Sequence, residues 1–320
     1  MAFISNCTAD VIAKAAQALK NGHLVAFPTE TVYGLGADSQ SADAVAKIYK
    51  AKGRPADHPL IVHVSSIDAL GEWASDVPEY AIALARKFWP GPMTLVVKRS
   101  VLAKDFVTGG QDTVGIRVPQ HAVALALLQE FERIGGRGVA APSANRFGAV
   151  SPTTASAVEE ELADYLSIDD LVLDGGSSQV GVESTIIECT GEAPRVLRLG
   201  AVTFEMIEVA TDLKVDSLSV RSEIRVSGSH ESHYAPKAQV ILNGVPQPGD
   251  GFIAMADVET PREVVRLAAP KSVDEYATQL YSGLRAADSQ RLAKVVALEP
   301  EGDGLAEAIR DRLVRAAHGA

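Results

Sequence analysis

The sequence predicts an α/β protein, with a larger domain built on a mixed sheet flanked by helices and a smaller α/β domain after it. Three observations carry this. Helical and strand-like periods alternate without internal repeats through residue 211, and the alternation resumes beyond residue 237. Aromatic residues are only 5% of a chain that is 47% hydrophobic, so its core must come from Ala, Val, Leu and Ile, as in α/β layers. At 320 residues the chain is longer than one average domain.

Each element has a local reason. Residues 10–21 carry Val11, Ala15 and Ala18 at helical spacing, with Gly22 as a stop. Residues 23–27 form a short buried strand that Pro28 ends. Ser41 caps a second helix with Ala44, Val45, Ile48 and Tyr49 on its buried face and Gly53 at its end. Residues 59–64 form a strand, and 78–88 a helix stopped by Pro90, Gly91 and Pro92. Strands at 94–98 and 113–118, a helix at 121–133, a strand at 138–141 and a helix at 153–162 follow, then strands at 171–173, 184–188 and 195–197. Several strands have few residues between them, so not all are joined by right-handed crossovers and the sheet is mixed. Residues 212–237 are rich in Ser, charge and His without a period, and read as a linker or lid between domain 1–211 and domain 238–320. The second domain has strands at 239–242, 251–255, 264–268 and 294–298, with helices at 273–286 and 305–316.

The formal net charge of -11 argues against tight sequence-independent nucleic-acid binding, which needs many Lys and Arg contacts. Cys7 and Cys189 are far apart and lack C-x-x-C spacing, so neither a disulfide framework nor a zinc site is indicated. Residues 1–6 have no signal-peptide character, and no apolar run approaches the ~20 residues of a membrane helix, so a cytoplasmic location is expected. The glycine patterns of Rossmann and P-loop nucleotide sites are absent. The run Ser229-His230-Glu231-Ser232-His233 is not a metalloprotease helix, because its histidines are not at i and i+4 and Pro236 opposes a helix.

Five polar clusters can carry chemistry. In the first, Phe27 to Gly36, Thr29 and Thr31 offer hydroxyls, Glu30 a carboxylate, and Gly34 and Gly36 a close approach for a ligand or a helix; a polar turn is the plain alternative. The second places Lys52, Arg54 and His58 in a loop stiffened by Pro55 and Pro59, suited to clamping phosphates, or else a basic helix end that complements the macrodipole. In the third, Ser143, Asn145 and Ser151 can meet a nucleotide near a helix N-terminus, although Ser151 or Thr153 serves equally as its cap. The fourth puts Arg117 in the apolar strand that Thr113 begins, where it needs a carboxylate partner from the protein or from a substrate. The fifth runs from Asp174-Gly175-Gly176 through Gly181 and Glu183-Ser184-Thr185 to Arg198, and its glycines admit a ligand or make tight turns. His63, alone in a strand, reads by itself as a core histidine.

In this order the clusters resemble the L-threonylcarbamoyladenylate synthase family with its YrdC-like catalytic domain. The resemblance rests on Pro28-Thr29-Glu30-Thr31-Val32-Tyr33-Gly34-Leu35, Lys52-Gly53-Arg54-Pro55, Ser143-Ala144-Asn145 and Glu183-Ser184-Thr185-Ile186. His233-Tyr234-Ala235-Pro236 matches the form with a second domain. It implies a YrdC-like twisted mixed sheet with flanking helices, plus a smaller Rossmann-like α/β domain. The implied reaction joins L-threonine, bicarbonate or CO2, and ATP with Mg2+ into threonylcarbamoyl-AMP and pyrophosphate, and other proteins then transfer the threonylcarbamoyl group to tRNA. By the same resemblance, Thr31, His63, Arg117 and Ser184 hold threonine. Lys52, Arg54, His58, Thr113, Ser143, Asn145, Ser151, Arg198 and Tyr234 contact ATP, and Lys52 and Arg54 also act catalytically. A threonine carbamate is already an anion, so its attack on the α-phosphorus asks for charge stabilisation more than for a general base. His58 stands where many relatives have Asn, from which a changed contact with retained activity is expected. Two other readings compete: a carbamoyl-adenylating enzyme, whose usual zinc-finger and acylphosphatase modules the sequence lacks, and a non-catalytic RNA-binding module, which the acidic balance opposes.

Overall fold

The protein is described by a computed structural model at residues 3–215, 224–228 and 233–319. In chain order the elements of the first half are β1 (Phe3–Asn6), α1 (Ala9–Lys20), β2 (Val25–Phe27), β3 (Gly34–Asp38), α2 (Ala42–Lys52), β4 (Ile61–His63), α3 (Leu70–Trp73), β5 (Ala74–Asp76), α4 (Glu79–Phe88), β6 (Met93–Arg99), α5 (Asp105–Thr108), β7 (Thr113–Arg117), α6 (Ala122–Arg133), β8 (Val139–Ala140), α7 (Ala155–Leu162), β9 (Leu171–Asp174), β10 (Thr185–Glu188), β11 (Arg195–Arg198) and α8 (Phe204–Thr211). The second half has β12 (Gln239–Leu242), β13 (Gly251–Ile253), β14 (Val265–Ala268), α9 (Val273–Ser289), β15 (Lys294–Ala297) and α10 (Leu305–Ala317).

The first sheet runs β1-β9-β2-β3-β8-β4-β7-β6-β10-β11, with β5 on β6, and it mixes parallel pairs such as β4 with β7 and antiparallel pairs such as β6 with β7. The second, β12-β15-β13-β14, is wholly parallel. Capping chemistry sets several boundaries as the sequence suggested. The Ser41 hydroxyl accepts from the Ala44 amide at the start of α2, and Gly53 ends that helix in the left-handed region at φ 62°. Helix α1 buries Ile12, Ala15, Ala16 and Leu19 against Leu127, Leu128 and Phe131 of α6. No helix among the described residues is long and apolar enough to cross a membrane.

The differences from expectation have physical reasons. Gly34 and Gly36 do not open a loop to a ligand. They lie in β3, where a Cβ on Gly36 would come within 2.7 Å of Val139 and 2.9 Å of the Phe27 ring, so glycine here lets neighbouring strands pack. The cap of α7 is Thr154, whose hydroxyl accepts from the Ala157 amide, and not Ser151 or Thr153. The short elements β1, α3, β5 and α5 and the eight-residue α8 were not anticipated. Pieces of three or four residues are too brief to show a period, and tertiary pairing creates them. Of the linker, residues 216–223 and 229–232 lie outside the described residues, and so does most of the run from Ser229 to His233.

The two halves share one apolar cluster. Val32, Val150, Val182 and Tyr234 pack with Tyr276, Leu280, Leu284 and Leu313 of α9 and α10. The halves approach closely at Gly181, where φ is +80° and a Cβ would lie 2.3 Å from the Ala277 carbonyl oxygen. A Gly181→Ala change must therefore move backbone as well as strain it. We expect it to lower unfolding stability by about 1–3 kcal/mol, measured as a fall in urea midpoint; an unchanged midpoint would contradict the close contact.

Candidate active site

The polar clusters converge on a cavity of about 50 Å³ lined by Thr31, Val32, Arg54, Ile61, His63, Arg117, Pro142, Ser143, Glu183, Ser184, Arg198, Ser227, Gly228, His233 and Tyr234. Strand periodicity puts Ile61 and His63 on one face of β4, and the parallel register sets Arg117 of β7 beside His63. The sequence-predicted Thr31, Arg54, His63, Arg117, Ser143, Ser184, Arg198 and Tyr234 all line this cavity. Lys52, His58, Thr113, Asn145 and Ser151 are not among its lining residues.

The left-handed turn at Gly53 sends its two basic neighbours apart. Buried Lys52 donates to the carbonyls of Ser143 and Asn145 at 2.6 Å and 2.5 Å, so it ties the Ser-Ala-Asn segment to α2. Burial first, and then Arg54, push its ammonium well below the ordinary lysine value. Arg54 turns into the cavity and donates to the Pro59 carbonyl and the Ser227 hydroxyl, each at 3.0 Å. Arg198 donates to the Ser184 carbonyl at 2.9 Å, to the Ser184 hydroxyl at 3.1 Å and to the Ser227 carbonyl at 2.9 Å. Ser227, between α8 and β12, thus occupies donors on both arginines.

Arg117 has a protein carboxylate as partner. It donates to Glu30 at 2.8 Å and to the Thr31 hydroxyl at 2.9 Å, and the other Glu30 oxygen accepts from the Gln120 amide. Its Nε, like Arg54 Nε, His63 Nδ1, Asn145 Oδ1, His233 Nδ1 and the Tyr234 hydroxyl, is buried with no hydrogen-bond partner among the described residues. Such a concentration of unpaired polar atoms around one cavity is costly without a polar ligand. Thr113 faces a surface groove with Lys98 and Arg99, and the His58 ring stands edge-on to Phe147 at 5.4 Å.

Glu183 is the lining carboxylate to which the sequence reading gave no role. Its oxygens accept from the Ser151 hydroxyl at 2.6 Å, the Tyr281 hydroxyl at 2.8 Å and Arg312 Nε at 2.9 Å. Burial alone would raise its pKa, but the Arg312 and Arg198 charges and the Ser151 hydrogen bond prevail and hold it at about 2. Glu183 was visible inside the Glu-Ser-Thr run. Tyr281 and Arg312 left no signal, because each sits in an ordinary amphipathic helix of the second half.

Fold and site together define an α/β protein whose buried, arginine-rich cavity suits a small anionic ligand. Residues 17–200 match the Sua5/YciO/YrdC family model, described as telomere recombination, and residues 202–318 match the model described as the C-terminal domain of threonylcarbamoyl-AMP synthase. The chain belongs to the Sua5/YciO/YrdC family, in the form that carries this C-terminal domain. It is 38% identical to threonylcarbamoyl-AMP synthase of Pyrococcus abyssi, over 94% of this chain and 92% of that one. With the Bacillus subtilis enzyme of the same name it is 40% identical, over 96% and 93%. The crystal structure of Pyrococcus abyssi Sua5 complexed with L-threonine superposes with a TM-score of 0.88 at 36% identity, covering 99% of this chain and 98% of that one. Thermococcus kodakarensis HypF shares the fold alone, at 20% identity over 60% of this chain and a TM-score of 0.52.

The two buried histidines make stability pH-dependent. Burial drives His63 and His233 down to about 3, with Arg117 adding to the effect at the first, and with Lys52 and Arg54 adding to it at the second while Glu183 opposes. An unfolded imidazole titrates near 6.5, so between about 6.5 and 3 the unfolded chain binds more protons and stability falls as pH falls. The slope is up to ~1.4 kcal/mol per pH unit for each histidine. Urea midpoints taken from pH 7.5 to 4.5 should drop, and His63→Gln should flatten part of that drop; a midpoint that holds level would show that these rings are not buried neutral.

Proposed function

We propose that this chain is a nucleotidyltransferase that makes threonylcarbamoyl-AMP and pyrophosphate from L-threonine, bicarbonate or CO2, and ATP. The observation that carries the reading is the convergence of Arg54, Arg117 and Arg198 with Thr31, Ser143 and Ser184 on one cavity. A chain of the same family and architecture, superposing over nearly the full length, has been crystallised with L-threonine. The alternatives are less favoured: curated relatives at 38–40% identity carry the synthase name, whereas the likeness to HypF is one of fold.

In this reading the neutral threonine amine forms a C–N bond to CO2 and releases a proton to solvent, which leaves a carbamate anion. A carbamate oxygen forms a bond to the α-phosphorus of ATP while the bond to the pyrophosphate oxygen breaks, so no proton has to be removed in that step. The free Nε of Arg117 and the Thr31 and Ser184 hydroxyls are available for the amino acid, and Arg54 and Arg198 for the phosphates. Neutral His63 beside Arg117 adds no further charge to the cavity. Lys52 supports catalysis by holding residues 143–145 in place, since two backbone carbonyls engage its ammonium. Among the described residues no three His, Cys, Asp or Glu side chains come together as a cation site. Both oxygens of Glu183 are occupied, so magnesium enters this reading as the ion that ATP carries on its phosphates.

ATP must displace Ser227 to reach Arg54 and Arg198, which makes the linker a cover that opens for the nucleotide and closes over the labile mixed anhydride. His58, Thr113, Asn145, Ser151 and Tyr234 belong to the nucleotide's surroundings in this reading. The intermediate then passes to proteins that modify tRNA, and a cytoplasmic setting agrees with Cys7 and Cys189 being reduced.

The test is to incubate the protein with ATP, magnesium, bicarbonate and L-threonine, and to follow pyrophosphate and the adenylate by mass spectrometry while each substrate is omitted in turn. Product should require both threonine and bicarbonate, and Arg198→Ala should lower its rate by about 10²-fold or more. ATP-dependent pyrophosphate release that ignores threonine would overturn the reading. Tyr234→Ala addresses the cover separately: it should change ATP affinity or adenylate yield, and if both stay at parental values the linker is not a lid.

A further inference from the structure

Arg312 does not line the cavity, yet it touches three parts of its wall. Its Nε holds Glu183 at 2.9 Å and its Nη2 holds the Leu199 carbonyl, next to Arg198, at 2.8 Å. Its guanidinium carbon lies 5.1 Å from the centre of the Tyr234 ring. The side chain is 0% exposed, which is unusual for a helical arginine and means that every contact it makes is internal. Tyr281 repeats the pattern from α9: its hydroxyl donates to Glu183 at 2.8 Å, and its ring stacks on Tyr234 at 5.6 Å.

We propose that Arg312 and Tyr281 of the C-terminal domain are positioning residues for the active site, fixing Glu183, Arg198 and Tyr234 in their working geometry, so that the site is incomplete without the second domain. Tyr234 sits at φ 62°, a backbone conformation that a bulky residue keeps only where its surroundings impose it. Arg312 and Tyr281 supply those surroundings, one over the ring and the other stacked against it. Through Glu183 the same two residues orient Ser151, whose hydroxyl is bonded to the other carboxylate oxygen. Without Arg312, Glu183 would be a buried carboxylate lacking its closest cation, free to turn toward Arg198 and take up donors that the proposed reaction assigns to ATP. The inference rests on the proposed synthase activity for its kinetic readout, and ligand binding supplies a second one.

Arg312→Lys keeps the charge but not the three-way contact, and Tyr281→Phe removes a single hydroxyl while keeping the ring stack. For both, kcat and the KM values for ATP and L-threonine would be measured in full-length protein beside its melting temperature, with calorimetry for binding of ATP and of L-threonine. We expect kcat/KM for ATP to fall by about tenfold or more in Arg312→Lys, and to a smaller extent in Tyr281→Phe, with melting temperatures close to parental. A purely structural role would lower the melting temperature and leave the kinetics of the folded fraction unchanged, which overturns the proposal. Kinetics within twofold of the parent in both variants also overturn it and leave the synthase reading standing. If the parent forms no adenylate, that reading fails, and weaker ATP or threonine binding in the variants still supports the positioning role, while unchanged binding defeats it. Should Arg312→Lys not fold, Tyr281→Phe alone decides by the same criteria.

Discussion

An imbalance of buried charge governs this structure. Lys52, Arg54, Arg117, Arg198 and Arg312 are all buried around one cavity, and the buried carboxylates facing them are Glu30 and Glu183. Isolated cations in such a place are very costly, so each must be satisfied by something else. Backbone oxygens do most of this for three of them: the carbonyls of Ser143 and Asn145 for Lys52, Pro59 for Arg54, and Ser184 and Ser227 for Arg198, while Arg312 pairs with the carboxylates of Glu183 and Asp311. Carbonyls stabilise a cation without cancelling its charge. The site therefore stays electropositive in a chain whose overall charge is -11, and a polyanion can be drawn to it locally.

The two carboxylates do different work. Glu30 pairs with Arg117 inside the first domain and aligns the opening loop with β7, an arrangement that needs only the larger sheet. Glu183 instead binds across the domains, taking a serine from one side and a tyrosine and an arginine from the other. The apolar cluster shared by Val182, Val150 and Leu280 excludes water from this contact, which strengthens each of its hydrogen bonds. A wet and polar domain interface would permit relative motion by default. A dry one centred on a buried ion pair holds α9 and α10 behind Glu183 and Tyr234, two residues of the cavity wall.

Much of this was legible in the sequence wherever local chemistry decides structure. The Ser41 cap and the Gly53 stop bounded α2, and hydrophobic period gave all six elements of the second half. The cavity side chains were legible because hydroxyls, glycines and cations cluster beside short apolar strands. What stayed hidden depends on contacts distant in sequence. The partner of Arg117 lies 87 residues away at Glu30, and nothing in the strand itself chooses between a protein carboxylate and a substrate one. The glycines of the opening loop suggested room for a ligand because a strand that needs close neighbours uses the same residue for the same reason. Arg312 was the least readable of all. In Arg310-Asp311-Arg312 it looks like part of a solvated face, and only Glu183, 129 positions earlier, turns it inward.

The same imbalance explains why a movable cover suits this site. Arg54 and Arg198 keep the Pro59 and Ser184 oxygens as acceptors, and Ser227 adds a hydroxyl to the first and a carbonyl to the second. Both acceptors are neutral, whereas phosphate oxygens are charged and form hydrogen bonds about twice as strong. On the proposed reading, exchange of Ser227 for nucleotide is favourable at the donors and reverses when pyrophosphate and adenylate leave. The cost falls on apparent affinity, which is reduced by the fraction of molecules in which Ser227 remains seated. A latch made of stronger acceptors would protect the empty site better but would resist ATP. A latch made of water would admit ATP freely but leave the anhydride exposed to hydrolysis. On the proposed reading, one serine contributing two neutral acceptors lies between these limits, and position 227 is where affinity and protection of the product are set together.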